Sequence, residues 1–319
     1  MTDNATKIAD GAIALVGAGP GDPGLITRRG LDLLREADVV VYDALANPAL
    51  LAEAPADAEL FDVGKRAKEH KRTQDQINEL LLVKAREGKR VVRLKGGDPY
   101  LFGRGAEEVA FLASHGAAVQ VVAGVTSGIA APMTAGVPVT HRKLASTVTF
   151  VTGHEDPGKE DSSIDYAALA DLCRAGGTLC FYMVMSRLAA AAARLIELGL
   201  PADTPAAAVQ WGTRPEQRQV RATLETLADA VEGAGIGSPA IVVIGAVAGV
   251  DEPGLDFFTR RPLFGKHIIV TRTRHQASSL SSQLEAHGAA VLEAPTIELH
   301  PPESFDEVDQ TLRQLDRFD

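Results

Sequence analysis

The stretch Ile13-Ala-Leu-Val-Gly-Ala-Gly-Pro-Gly-Asp-Pro-Gly24 runs from an apolar segment straight into a turn of glycine, proline and aspartate. Ile13–Val16 reads as a strand and the residues after it as its loop. A helix over Arg28–Ala37 comes next, with Thr27 a good N-cap. The alternation recurs downstream. Val39–Tyr42 reads as a strand, and Gln74–Glu87 as a helix with Ile77, Leu80, Leu81 and Lys84 at helical spacing. Arg90–Leu94 is a third strand, Ala106–His115 a helix and Val119–Val122 a fourth strand. Such alternation implies a mainly parallel sheet covered by helices.

A second α/β unit starts near Thr140. Its expected strands are Thr147–Thr152, Thr178–Met183, Ala206–Trp211 and Ala240–Ile244, with helices over Tyr166–Ala175, Ser186–Leu198 and Leu224–Glu232. Residues 251–262, with two prolines and a glycine, read as a linker. The tail then starts afresh: strands His267–Thr271 and Ala290–Ala294, helices Ala277–Ala286 and Asp306–Leu315. Two strands and two helices are too few for a doubly wound domain. The expected organisation is therefore an α/β domain over 11–137, a second over 138–250, the linker, and a partial α/β lobe over 263–319.

Bulk composition narrows the function classes. A formal net charge of −10 argues against a nucleic-acid-binding protein, although local basic clusters can still hold an anionic small molecule. The two cysteines, Cys173 and Cys180, match no metal spacing and suit a reducing compartment; no metal site is expected. Residues 1–11 lack a signal-type apolar core, and no run approaches the ~18 residues of a membrane helix. A cytoplasmic protein is expected.

Two glycine clusters carry the chemistry. Gly19, Gly21 and Gly24 satisfy G-x-G-x-x-G, with Asp43 ending the next strand, as in a nicotinamide-dinucleotide site. Pro20 and Pro23, however, remove backbone donors that a pyrophosphate would want, and the helix starts late, near Thr27. Another nucleoside ligand fits better; a plain tight turn is the bland alternative. The second cluster, Arg93-Leu-Lys-Gly-Gly-Asp-Pro-Tyr-Leu-Phe-Gly-Arg-Gly105, also follows a strand, where α/β sheets bind ligands. Gly96 and Gly97 allow a ligand close to the backbone, and Asp98 could accept from hydroxyl or ammonium groups. Lys65 to Arg72 holds six basic or potentially basic residues in eight. Such a run is usually a solvated loop, but this one is the densest basic patch of an acidic protein.

On these motifs the chain resembles uroporphyrinogen-III C-methyltransferases of the tetrapyrrole methylase superfamily. Val16-Gly-Ala-Gly-Pro-Gly-Asp22 and Lys95–Gly105 with Glu107-Glu108 match the two family signatures. Val40-Val-Tyr-Asp43, Val63-Gly-Lys-Arg66, Gly124-Val-Thr-Ser127 and Phe181-Tyr-Met183 match in order, over about residues 12–250. Val184-Met185 departs from the family, which more often has glycine after Met183. The resemblance implies two α/β domains with S-adenosyl-L-methionine in the cleft between them, leaving as S-adenosyl-L-homocysteine. Carried over by position, the cofactor contacts are Pro20, Gly96, Gly97, Asp98, Leu101, Thr126, Ser127, Met183 and Gly212, with Ala240 a weaker candidate. Met183 could instead be core filler, and Thr126 and Ser127 a helix cap. Asp43 is the implied general base, since a proton must leave after attack by a pyrrole carbon; a solvated turn aspartate is the bland alternative. Lys65 is the implied proton donor or carboxylate anchor, with Arg66 and Arg104 as further anchors for the tetrapyrrole carboxylates and His141-Arg142-Lys143 weaker ones.

The implied reaction is methylation of uroporphyrinogen III at C2 and C7 to precorrin-2, by a homodimer that binds neither nucleic acid nor membrane. The tail from Gly265 resembles the start of uroporphyrinogen-III synthase, covering the first part of one lobe, so synthase activity is not expected. No glycine-fingerprint domain precedes residue 11, so dehydrogenase and ferrochelatase steps are not expected either. Three rivals stay open: a nicotinamide-dependent oxidoreductase, a methylase with another target, and a binding protein without turnover.

Overall fold

The computed structural model describes residues 8–64, 72–154, 164–297 and 304–317. The chain divides into two compact units, Met1–Arg260 and Arg261–Asp319.

The first unit holds two five-stranded sheets. In the first, β1 (Ile13–Gly17), β2 (Val39–Tyr42), β3 (Glu59–Asp62), β4 (Val91–Lys95) and β5 (Val119–Val122) lie in the order β3-β2-β4-β1-β5, and all pairs are parallel. Strands β1 and β2 are apolar on both faces because both are covered. Ala14, Val16, Val40, Val92 and Leu94 pack with Leu33 and Leu34 of α1 (Arg28–Arg35). Ile13, Leu15, Val39, Val41 and Val91 pack with Leu81 of α2 (Gln74–Arg86) and Leu112 of α3 (Gly105–Ser114). Thr27 caps α1 as expected, its side chain accepting from the Gly30 N–H. The chain leaves β1 toward β2 but leaves β4 toward β5, so a crevice opens where those neighbours end. Their register pairs Gly17 with Lys95, which puts both glycine loops at one edge.

The second sheet runs β6-β7-β10-β8-β9, from β6 (Thr147–Thr152), β7 (Gly177–Tyr182), β8 (Pro205–Gln210), β9 (Arg218–Thr223) and β10 (Ala240–Ile244). It is mixed: β6 and β7 are parallel, and the other three pairings are antiparallel. One face buries Leu179, Phe181, Val242 and Ile244 under α5 (Tyr166–Arg174), α6 (Leu188–Glu197) and α7 (Leu227–Gly233), through Leu169, Leu195 and Leu227. The other buries Cys180, Val209 and Val243 under Ala131 and Ala135 of and beside α4 (Ser127–Thr134). Thus α4, in the stretch read as the first domain, rests on the second sheet. Burial pushes the Cys173 and Cys180 thiols up to about 11 and about 12, which makes them inert hydrophobes.

The edge strands β3 and β9 are additions to the sequence reading, which held the helix α4 only as the cap alternative at Thr126 and Ser127. Most of the expected linker belongs to the first unit, where Phe258 is buried and the Leu255 backbone lies against Gly136. The second unit pairs β11 (His267–Val270) in parallel with β12 (Ala290–Glu293), with α8 (Arg274–Ala286) and α9 (Asp306–Leu312). Ile269 and Leu292 stay exposed on that two-stranded sheet. No helix among the described residues is long and apolar enough to cross a membrane.

Candidate active site

The two glycine loops are built into each other. The Gly97 N–H donates to the Gly19 carbonyl at 2.8 Å, and the Gly19 N–H to the Gly97 carbonyl at 3.3 Å. A β-carbon on Gly17 would lie 2.5 Å from Gly124 Cα, and one on Gly124 would lie 2.1 Å from the Gly97 oxygen. Three strand-end loops therefore meet backbone to backbone, which only glycine permits. The contact has a consequence for the dinucleotide reading. The amides of Gly19 and Gly97 are spent on each other, and α1 does not begin until Arg28. Asp22 caps only a short 3₁₀ turn, Pro23–Leu25. Helix α1 therefore does not offer its N-terminus at these glycines to hold a pyrophosphate.

Asp98 is a strut. Its Oδ1 accepts the Tyr100 N–H at 2.8 Å and its Oδ2 the Gly124 N–H at 3.0 Å. Gly97 has φ +67° and open space where a side chain would project, whereas Gly96 is pressed against Leu45. Phe102, Arg104, Met183, Trp211 and Thr213, in the loops after β4, β7 and β8, all have left-handed φ between +50° and +72°. They are all the non-glycine residues of that kind among the described residues. Such conformations each cost on the order of 1–3 kcal/mol and cluster where a site is held in shape.

Side chains tie these loops across the two sheets. Thr213 Oγ1 accepts the Asp22 N–H at 3.0 Å, Asn47 donates to the Gly21 carbonyl at 2.6 Å, and Arg214 donates to the Leu45 carbonyl at 3.0 Å while lying over the Trp211 ring. The Tyr182 hydroxyl accepts the Gly128 N–H at 2.8 Å and sits 2.6 Å from Thr126 Oγ1, with the Phe102 ring against it. Thr126 begins α4 without a side-chain capping bond, so the cap alternative gives way to this contact with Tyr182. Burial pushes the Tyr182 phenol up.

The expected cofactor residues lie in these loops or at the strand ends beside them. Pro20 lies between the bridged Gly19 and Gly21, and Leu101 packs against the cluster holding Tyr182. Ser127 opens α4. Met183 is 46% exposed, so it is not core filler. Gly212 is buried, and a β-carbon there would lie 2.2 Å from that of Ala131. Ala240 pairs with Gln210, and the Trp211 N–H donates to the Pro239 carbonyl beside it. Lys65 and Arg66 lie outside the described residues; Gly64, just before them, is packed on Ala44. Arg104 pairs with Glu107 at 2.5 Å, both side chains more than half exposed.

Asp43 ends β2, and its Oδ1 accepts from Arg93 Nη2 at 2.5 Å. Arg93 and Lys95 share one face of β4 and are almost fully buried, with Glu108 of α3 wholly buried between them. Lys95 Nζ donates to Glu108 Oε1 at 2.9 Å and Arg93 Nη2 lies 3.4 Å from the same oxygen. Burial, then the Arg93 charge, pulls the Lys95 ammonium below its ordinary value. The sequence reading named Asp43 and Gly212 but gave no role to Arg93 and its burial with Lys95 and Glu108, to the Tyr182 hydroxyl or to Arg214. The available signal was two charges at i and i+2 in an otherwise apolar strand. Among the described residues no cluster of histidine, cysteine or carboxylate is placed to hold a metal ion.

Residues 12–228 match the family described as Tetrapyrrole (Corrin/Porphyrin) Methylases. The chain is 47% identical over 253 residues to the S-adenosyl-L-methionine-dependent uroporphyrinogen III methyltransferase of Methanosarcina barkeri, covering 77% of this chain and 98% of that one. It is 45% identical over 291 residues to the porphyrin biosynthesis protein HemD of Ruminiclostridium josui, covering 91% of this chain but spanning only 57% of that longer protein. The uroporphyrin-III C-methyl transferase of Thermus thermophilus, solved with S-adenyl homocysteine, superposes with a TM-score of 0.64 at 41% identity, over 75% of this chain and all of that one.

Proposed function

The chain belongs to the tetrapyrrole (corrin/porphyrin) methylases, and on that premise we propose that it methylates uroporphyrinogen III at C2 and C7, with S-adenosyl-L-methionine as donor and precorrin-2 as product. One observation carries the reading: the glycine loops close on each other yet leave open space above Gly97. A nucleoside could lie there against backbone, between Gly96–Asp98 and the exposed Met183. The proposed contacts are Pro20, Gly96, Gly97, Asp98, Leu101, Thr126, Ser127, Met183, Gly212 and Ala240. When bound, the donor supplies a methyl group already activated on a sulfonium.

The protein's task is then mostly alignment. Asp43 would take the proton released after attack by the pyrrole carbon. Lys65, Arg66 and Arg104 would hold substrate carboxylates. The reading further takes the chain as a cytoplasmic homodimer, and molar mass by light scattering checks the assembly. The decisive assay is incubation with uroporphyrinogen III and methyl-labelled donor. Two labels per tetrapyrrole are expected. Donor consumption without labelled tetrapyrrole would reject this substrate, and no consumption at all would favour a binding role.

A further inference from the structure

We propose that Arg93, braced by Glu108, is the positioning residue that aims the Asp43 carboxylate into the cleft. The proposal rests on Asp43 being the base. It starts from four ionisable groups lined up behind the site: Asp43 at the end of β2, Arg93 and Lys95 on β4, and Glu108 on α3. Their formal charges cancel in pairs. Three of the four are almost fully buried, and only Asp43 reaches solvent, with its side chain 31% exposed.

Stability does not explain such a row. Buried ion pairs are often no better for folding than apolar groups of the same volume. This one also leaves Arg93 Nε and Glu108 Oε2 buried without partners, which adds cost. What the row does achieve is direction. Arg93 Nη1 donates to the carbonyls of Val41 and Leu94, both at 3.3 Å, so its guanidinium is keyed to the ends of β2 and β4. Nη2 is then left to hold Asp43 Oδ1 at 2.5 Å. Among the described residues Asp43 Oδ2 accepts no hydrogen bond, so one oxygen is pinned and the other remains for a proton. Glu108 holds Arg93 from behind and is itself fixed by Lys95 and by Gln74 Nε2 at 3.0 Å. A carboxylate on a strand end, otherwise free to rotate, is thus set in one orientation by the core of the sheet.

The test is a double-mutant cycle in the full chain. Asp43→Asn should lower kcat by about 10²- to 10⁴-fold. Arg93→Met keeps the bulk and leaves the Glu108–Lys95 pair neutral. It should lower kcat by about 10²-fold, the scale of a misplaced catalytic group, with S-adenosylhomocysteine affinity unchanged, and Arg93→Lys should recover part of the loss. In the Asp43→Asn background, adding Arg93→Met should cost almost nothing more, because a residue that acts through Asp43 has nothing left to position. Equal losses in both backgrounds would overturn the proposal, leaving Arg93 a structural residue and the base reading intact. Near-normal kcat in Asp43→Asn alone would instead remove the base reading, and the proposal with it. If Arg93→Met does not fold, Glu108→Gln, which keeps shape and hydrogen bonding, runs the same cycle. A loss of about tenfold that vanishes in Asp43→Asn is expected, and wild-type kcat in Glu108→Gln with an inactive Asp43→Asn overturns the proposal.

Discussion

Gly97 combines two properties that separate ligand contact from folding: a φ of +67° and no atom within 4 Å of the point where a β-carbon would project. A valine there would carry backbone strain of about 1–2 kcal/mol and would fill the space assigned to the nucleoside. Gly88, in the turn after α2, has φ +80° and the same open surroundings, but no place at the cleft. Both Gly97→Val and Gly88→Val should lower the melting temperature, while only Gly97→Val should weaken S-adenosylhomocysteine binding, by tenfold or more (a loss of about 1.4 kcal/mol), by calorimetry. Equal affinities in the two variants would remove the nucleoside from this loop. Tyr182 is the corresponding polar test. Its hydroxyl is the acceptor for the buried Gly128 N–H, so Tyr182→Phe leaves that donor unpaired, at a cost of about 1–3 kcal/mol. Chemical denaturation should show that loss; an unchanged midpoint would mean that water replaces the hydroxyl.

At the level of elements, β1, β2 and β10 were legible because continuous apolar runs have one reading in a sheet covered on both faces. The edge strands were not. Glu59-Leu-Phe-Asp62 and Arg218-Gln-Val-Arg-Ala-Thr223 show polar residues to solvent and look like loops. Helix α4 showed only as an alternative cap at Thr126 and Ser127, because Gly128 and Pro132 are poor helix formers, and it is held by packing on the second sheet. Strand direction in that sheet could not be read either, since apolar runs carry no sign of parallel or antiparallel pairing. The cleft glycines were legible from their place after strands, but not that they bridge each other, because that pairing joins residues 19 and 97. One polar tie shows how such distant elements are joined. Asp38, at the start of β2, accepts the backbone N–H and two guanidinium N–H groups of Arg90, at the start of β4, at 2.6–3.0 Å. The Arg90 contact lowers the Asp38 carboxyl from 3.8 to about 2. A depressed carboxyl stabilises the fold above its unfolded value and loses that contribution as pH falls toward its folded value. Asp38→Asn should therefore destabilise by about 1 kcal/mol near neutrality, discounted because the pair is partly solvated. The difference from wild type should shrink as pH drops from 3.8 toward 2. A difference constant down to the acid limit would show that the neutral amide makes the same bonds.

In the molecule as a whole, every residue assigned to donor, substrate or proton transfer precedes the division between Arg260 and Arg261. The first unit also closes itself. Arg221, on β9, donates to the carbonyls of Ala135 and Gly136 beyond α4 and to those of Ala248 and Val250 after β10. Leu255 packs at Gly136 and Phe258 is buried. Residues 251–260 are thus a strap on the second sheet's side of this unit rather than a free tether. A cut at Val250 would strip that strap, whereas a cut after Arg260 would leave it whole. A chain ending at Arg260 should keep kcat and S-adenosylhomocysteine affinity within about twofold of the full chain, as for a domain with its own core. One ending at Val250 should melt lower, since it lacks the buried Phe258 and the Leu255 backbone that packs at Gly136. Paired melting curves and methyl-transfer rates on the two shortened chains decide the matter. If the chain ending at Arg260 folds with its full melting temperature yet has lost methyl transfer, then residues 261–319 take part in the reaction, and assigning the whole active site to the first unit is wrong.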